Sequence, residues 1–587
     1  MNMGASMQEH KQAKKRIGRT SSRQAMFWFG LSLAFAMIFG ILALRQAFSN
    51  EYVVQDDMRV YIWMQQFVDP ELFQHDLITD YFQSVTPTGY AAFYWLMACV
   101  GVEPLFLSKV LPTVLGLITT GYCFGVCMEM LPVPSAGFIA TLLLNQALWM
   151  APDLISATPR AFVYPLFLAF LYYLLRRSLL PCLMALALLG LFFPQGMFIS
   201  AGVLVLRLLH WKGDRLRFSQ DRSDYLFCAT GLVVALLVML PYVLKSSEFG
   251  PVVTAAEARG LPDFLPGGRQ PFFIDNPLKF WLTGSGGIVP AGWLSMRLPL
   301  IFTGLLLPIL LRYPAQFALT RQITSGATLL PRIVLVSLGL FFAAHALFFR
   351  LYFPNRYTWH SLRVVMALAA GIALAVMVDA VFRWAEQQAS PHSHGRQFLA
   401  LGSTAMLGAA LVLHPVYLQF KNIPFPRTDY VVGGVPSLYE FFARQPKDIL
   451  IASLAEEANN LPTFSKRSVL VGREYANPYH VGYYRQISQR ATDLIRAQYS
   501  QDLSEVRHFI RTYGVDFFLL DRAAFTPEYM ATHRWANYFQ PTAAETLAKL
   551  EQGTIPALSG FREHCSVLET GSLIVLQAKC ILEASQE

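Results

Sequence analysis

Two adjacent carboxylates, Asp56 and Asp57, stand shortly after the first apolar run of the chain. A carboxylate at a membrane surface can take the proton of an acceptor hydroxyl or hold a divalent cation. The plainer reading is two acids on a solvated loop. A second group is Asp153-Leu-Ile-Ser-Ala-Thr-Pro-Arg160, an acid and a base at the head of a helix expected to start at Arg160. A helix N-terminus and a guanidinium both favour phosphate; otherwise Asp153 and Arg160 only anchor the helix at the interface. A third is the run from Arg350 to Arg363. Within it Arg356, His360 and Arg363 are spaced 4 and 3 apart, so on a helix they share one face. Such a cluster can hold a lipid phosphate, or it can snorkel to ordinary headgroups. Glu248 and Glu257 are weaker ligand candidates. Asn459-Asn460, Asn477 to His480 and Tyr483-Tyr484 can line a polar groove for sugar, against the simpler reading of domain surface. Cys123 and Cys127 share a helix face without further ligands, which reads as packing.

These residues need elements to position them, and composition says which. The 587 residues are 54% hydrophobic and 14% charged, against about 25% charged in soluble domains. That excludes an ordinary soluble enzyme and a disordered chain, and describes a polytopic membrane protein with a soluble part. The net charge of +9 is then a matter of sidedness rather than of nucleic acid. Lys11, Lys14, Lys15, Arg16, Arg19 and Arg23 precede the apolar run Phe27 to Leu44. This basic flank is expected to stay cytoplasmic and the run to be an uncleaved anchor.

The following segment has seven acids and only Arg59 as a base, as an external loop should. Placing 89–102 as a helix on the outer interface keeps the later clusters at Arg176-Arg177, Lys212 to Arg222, Arg312 to Arg332 and Arg383 to Arg396 cytoplasmic. About eleven spans follow, near 27–48, 105–129, 135–151, 160–176, 179–193, 196–210, 225–244, 297–312, 331–349, 361–382 and 398–417. The expected organisation is a basic tail over 1–26, a membrane module over 27–417 and an external domain over 418–587. Outer loops fall at 49–104 and 245–296, the second an irregular lid.

In the tail the apolar runs shorten to Ile449–Ser453, Ser468–Gly472, Val515–Asp521 and Ser572–Gln577, with helix-like Leu503–Tyr513 and Ala543–Gln552 between them. Alternation of this kind predicts a small α/β domain. Cys565 and Cys580 flank a hairpin through Glu569 to Ser572. They can pair in an oxidising compartment, but the hairpin register does not set them opposite, so the pairing stays open.

The layout resembles the GT-C superfamily of membrane glycosyltransferases, which includes the protein O-mannosyltransferases, the aminoarabinose transferase of lipid A and the oligosaccharyltransferase catalytic subunits. The matching features are the basic tail and single span before Asp56-Asp57, the interfacial helix through Tyr90 to Leu96, the short helical pair meeting at Phe193-Pro194-Gln195 and the α/β tail. The resemblance implies a mainly α polytopic fold and sugar transfer, usually inverting, from a polyprenyl-phosphate donor at the outer face of a membrane, here a bacterial inner membrane. It implies that Asp56 or Asp57 is the catalytic base. Arg160, Arg356, His360 and Arg363 would hold the donor phosphate. Asp57 with Asp153 would be the ligands if a divalent metal, magnesium or manganese, is used. Implied partners are the lipid donor, membrane lipids and an envelope glycan, lipid or protein acceptor, and no nucleic acid. The tail lacks Trp-Trp-Asp, which favours a monosaccharide over an oligosaccharide transferase. The rival readings are a lipid or solute transporter, which should carry ionisable groups mid-span, and a non-catalytic scaffold with an external binding domain. Reporter fusions in the Asp57 loop and in the tail are expected to score as external; a cytoplasmic Asp57 excludes the enzyme reading.

Overall fold

A computed structural model of the protein describes residues 3–212, 215–244, 247–290, 292–293, 297–386 and 393–584. Of the expected basic tail, residues 1–2 lie outside the described residues. Every segment expected to span is helical, and many of these helices open with a proline at the first turn: Pro104, Pro134, Pro159, Pro194 and Pro299. Proline there forfeits an amide that has no partner anyway. Among the described residues five helices are long and apolar enough to cross a membrane: Ser22–Ala47, Pro104–Met130, Arg222–Leu244, Ser325–Ala346 and Pro354–Glu386. The broken pair His394–Val412 and His414–Phe420, bent by 60°, makes a sixth if it counts as one span.

The other expected spans fall short by length. Leu179–Phe192 and Pro194–Arg207 have 14 residues each, about 21 Å of helix against an apolar core of about 30 Å. They meet at Phe193-Pro194, where the sequence places their turn. The helix Thr88–Cys99, expected at the outer interface, buries Tyr90 and Tyr94 and exposes Trp95 and Leu96.

One helix pair matters most for the site. Pro134–Trp149 packs along Trp359–Glu386, and a side chain added at Gly371 would come within 2.5 Å of the Ala140 Cβ. Small residues let the two backbones approach, and this sets the end of the first helix beside the start of the second.

Among the described residues nine strands form three sheets. β1 (Val53–Gln55) pairs antiparallel with β4 (Tyr430–Val432). β2 (Leu209–Lys212) and β3 (Arg215–Phe218) make a hairpin. The tail sheet has the order β6-β5-β7-β9-β8, built from β5 (Leu450–Ser453), β6 (Ser468–Val469), β7 (Phe517–Asp521), β8 (Ser566–Glu569) and β9 (Leu573–Gln577). β6, β5 and β7 are parallel, β9 pairs antiparallel with β7, and β8 pairs antiparallel with β9. These are the four apolar runs read as strands, with β8 added. The expected helices are present at Leu503–Tyr513 and Thr542–Glu551. The first ends on Gly514 at φ +67°, a left-handed cap that glycine adopts without strain. Cys565 and Cys580 are disulfide-bonded. The hairpin register does not join them; Cys580 lies on the short helix Ala578–Glu583 after β9, which folds back toward the residue preceding β8.

The β1–β4 pairing was not legible beforehand. It ties the first outer loop to the start of the tail, and Asp56 N–H donates to the Asp429 carbonyl at 3.3 Å. A second seam is aromatic. Tyr81 of the loop helix Leu77–Val85 stacks on Tyr483 of the tail with ring centres 3.6 Å apart, and its hydroxyl meets His480 Nδ1 at 3.1 Å. The 245–296 loop closes over this seam: Val253 N–H donates to the Tyr479 carbonyl, Gly482 N–H to that of Phe249, and the Tyr484 hydroxyl to Asp263. The Asn477–His480 and Tyr483-Tyr484 groups therefore join tail, loop and lid, rather than forming a groove or open surface. Glu257, a ligand candidate, is used as the capping partner of Thr254, and Glu248 is exposed.

Asp76 caps the loop helix through Thr79 N–H at 3.2 Å, while its second oxygen is buried without a partner. Burial pushes this carboxyl up to about 6. A raised acid favours its neutral form in the fold, so it costs stability as pH rises from about 4 to about 6 and remains costly above. Asp76→Asn keeps the cap. It is expected to raise stability by roughly 1–3 kcal/mol at pH 7.5 and by nothing at pH 4, read by thermal unfolding in detergent at both pH values.

Candidate active site

The acids of the first loop open a 3-10 helix, Asp56–Phe67. Gln55, the last residue of β1, caps it by accepting from Asp57 N–H at 2.9 Å. Strand pairing thus sets the start of the turn and the directions of both carboxylates. Asp56 pairs with Arg59. Arg59 also donates to Asn460 at 3.2 Å and lies 3.6 Å from Glu474, both on the tail. Asp57 points the other way and pairs with Arg160.

Arg160 lies on the short turn Pro159–Phe162 at the head of its helix, and its Nε is 3.7 Å from Asp153. Asp153 pairs with Arg363, whose guanidinium also donates to the Tyr164 hydroxyl at 2.7 Å. That hydroxyl meets His360 Nδ1 at 2.9 Å. The result is one connected line: Asp57, Arg160, Asp153, Arg363, Tyr164, His360. It grades from open to closed, with side-chain exposure of 40% at Asp57, 15% at Arg160 and 1% at Arg363. Phe193, at the turn of the short helical pair, covers the far end with its ring 5.3 Å from His360.

Charge follows this geometry. Burial works against an ionised Asp153, but Arg363, His360 and Arg160 outweigh it and hold the carboxyl well below the usual range. Asp56 moves the opposite way. Burial raises it, and the charges of Glu474 and Asp57 add to that, against the pull of Arg59. The two neighbouring acids are thus different. Asp57 is committed to a guanidinium in a chain of fixed charges, and Asp56 is a half-exposed carboxyl with raised proton affinity.

The structure brings Asp57, Arg160, Asp153, Arg363 and His360 together, all named from sequence. The shared face expected of Arg356, His360 and Arg363 holds for the last two. Arg356 belongs instead to the turn Pro354–Tyr357, before the helix Trp359–Glu386 begins. Pro354 and the break at Thr358 keep it off the helix face. Arg356 lies over the Tyr352 ring at 5.9 Å, and its Nε is buried without a hydrogen-bond partner, as is His360 Nε2. Sequence reading missed Tyr164, the hub of the buried end, because a tyrosine in an apolar run carries no signal. It passed over Arg59, although a lone base in an acidic loop was a usable one.

For the metal ligands, both Asp57 and Asp153 face the Arg160 guanidinium, which stands where a shared cation would stand. Among the described residues no three His, Cys, Asp or Glu side chains come together as a ligand set. Magnesium is commonly held by one or two carboxylates, with waters and substrate phosphate completing its shell, but here the Arg160 guanidinium lies against both carboxylates. The donor set as arranged does not fit such a cation.

The buried pair yields a test. Arg363→Met strands the Asp153 carboxylate and is expected to cost about 3–5 kcal/mol, whereas Asp153→Leu with Arg363→Met recovers most of it. Thermal unfolding of the three proteins in detergent reads this; equal loss in single and double variants contradicts it.

No family model matches the chain, and a search of curated proteins finds no match. Solved structures do match. The archaeal oligosaccharyltransferase AglB from Archaeoglobus fulgidus, in complex with an inhibitory peptide and a dolichol-phosphate, is similar at a TM-score of 0.52 and 14% identity, over 88% of this chain and 72% of that one. ArnT from Cupriavidus metallidurans, bound to undecaprenyl phosphate, is similar at a TM-score of 0.45 and 14% identity, over 95% and 99%. The arabinofuranosyltransferase AftD from Mycobacteria is similar at 0.46 and 12%, over 85% and 35%. At these identities the likeness is one of fold alone, and it rests on the first: this chain, with its apolar helices and small α/β tail, shares the overall fold of AglB.

Proposed function

We propose that the protein is a membrane glycosyltransferase that moves a sugar from a polyprenyl-phosphate donor to an acceptor hydroxyl on the external face, with inversion. The observation that carries this reading is the pairing of Asp57 with Arg160 at the open end of a buried line of charges, with Asp56 beside it. Glycosyl transfer needs two things on opposite sides of the anomeric carbon. The departing phosphate needs fixed positive charge where negative charge develops. The incoming hydroxyl needs a base.

Arg160 supplies the first, held in place by Asp57 and Asp153 so that it need not reorganise during the reaction. Arg356, with an unpartnered buried Nε, is the second cation for the phosphate. Arg363 and His360 act from behind: Arg363 is enclosed and bound to Asp153 and Tyr164, so it positions rather than contacts the donor. Asp56 supplies the base, because a carboxyl of raised proton affinity is the better proton acceptor. The donor class is supported by the dolichol-phosphate in the AglB structure of the same fold. The cytoplasmic basic tail, the external α/β domain over 418–587 and a bacterial inner membrane complete the reading. In it the interfacial helix Thr88–Cys99 lies at the outer surface and supports the Asp56–Phe67 turn through Tyr90 and Met58.

Asp56→Asn is expected to lower transfer by about 10²–10⁴-fold with donor binding retained. Asp57→Asn and Arg356→Ala are expected to weaken donor binding. Native mass spectrometry for a co-purified polyprenyl phosphate and a radiolabelled-sugar assay read the two effects separately. Wild-type activity should fall on acidification, with a midpoint above that of an ordinary aspartate. Full activity of both aspartate variants, singly and together, would sink the proposal.

A further inference from the structure

The tail sheet holds a second feature that the transfer chemistry does not use. Its parallel strands run β6-β5-β7, so the chain leaves β5 toward one side and returns on the other. At such a reversal the loops leaving the carboxyl ends of neighbouring strands part and open a crevice, where α/β sheets bind ligands. An open crevice of about 350 Å³ lies at this place, within the range of about 300–1,000 Å³ used by small-molecule sites. Its walls are Ser453 to Glu456 after β5, Gly472-Arg473 after β6, Asp521 at the end of β7, and His533 to Trp535 after the short helix Pro527–Thr532.

The lining says what would fit. Glu456 and Asp521 are offset by Arg473 and Arg534, so the crevice carries no net charge to select a polyanion or polycation. Arg473 Nε is enclosed with no hydrogen-bond partner, and its nearest carboxylate, Glu456, is 3.8 Å from the guanidinium and itself 88% exposed. One oxygen of Asp521 is fixed by the Tyr529 hydroxyl at 2.7 Å. His533 is held by the Leu454 carbonyl at 3.0 Å and the Ala536 amide at 3.1 Å, and Trp535 is buried behind it. Carboxylate acceptors, guanidinium donors and fixed aromatic rings in a neutral crevice suit a neutral ring of hydroxyls.

The crevice also lies close along the chain to the candidate active site. Asn459 lines the crevice, and its neighbour Asn460 accepts from Arg59, the partner of Asp56. Arg473 lines it, and its neighbour Glu474 lies against the same Arg59. Two loops thus connect the crevice to the residues that hold Arg59, the partner of the base, by one residue step each.

We infer that this crevice binds a neutral carbohydrate, the glycan portion of the acceptor. The inference rests on the transfer reading for the word acceptor, though not for the binding. Saturation-transfer NMR on the full chain in detergent, with the methyl glycosides of glucose, galactose, mannose and N-acetylglucosamine as probes, tests it. At least one is expected to bind. Binding should weaken by about tenfold or more in Thr532→Trp, which fills the crevice from an exposed position, and in Arg473→Ala, and should survive in Asp56→Asn. No binding by any probe, or equal binding in both crevice variants with the circular dichroism of wild type, overturns the inference and leaves the transfer reading intact. Crevice-dependent binding in a wild-type protein that transfers no sugar supports the site and overturns the transfer reading instead.

Discussion

The candidate site depends on one constraint: Asp153 and Arg363 are buried charges, and neither can be left alone. Removing an ion from water costs several kcal/mol even after relaxation. The pair is tolerable because each member is further satisfied, Arg363 by the Tyr164 hydroxyl and Asp153 by Arg160. That requirement fixes three helices relative to one another: the turn after Pro134–Trp149, the head of the helix carrying Tyr164, and the start of Trp359–Glu386. The close approach at Gly371 and Ala140 makes it possible. Arg160 inherits its position from this cluster and passes it to Asp57.

A second constraint comes from outside the membrane. The first loop has only a small apolar cluster of its own, Ile62, Leu72 and Phe73, and its acids are aimed by borrowed structure: β1 needs β4 of the tail as partner, and Arg59 needs Asn460 and Glu474. The stacked Tyr81 and Tyr483 and the lid amides seal the same junction. The α/β domain is therefore part of the site's scaffold, and the crevice at its strand ends lies one residue step, in each of two loops, from the residues that hold Arg59.

Legibility in the sequence followed the range of the interaction. The helices of the membrane module, the helix Thr88–Cys99 and four tail strands were readable because apolar periodicity and proline placement act within a few residues. The turn at Phe193-Pro194 was readable for the same reason. Whether a helix is long enough to cross was less so: the 14-residue pair and Pro134–Trp149 read as spans by hydropathy, while their length falls short of the bilayer. The Cys565–Cys580 bond could not be derived from the hairpin, since it depends on how the last helix folds back.

By itself, the sequence determined that this is a polytopic membrane protein with an α/β tail, and that acids and bases gather at the ends of particular spans. Composition and local pattern suffice for that. Only the tertiary structure decided how those charges pair. Asp57 meets Arg160 across 103 residues and Asp153 meets Arg363 across 210, and Arg356 is left with its Nε unpartnered. Pairing is a matter of distance and burial between segments remote in the chain, and no spacing along the chain encodes it.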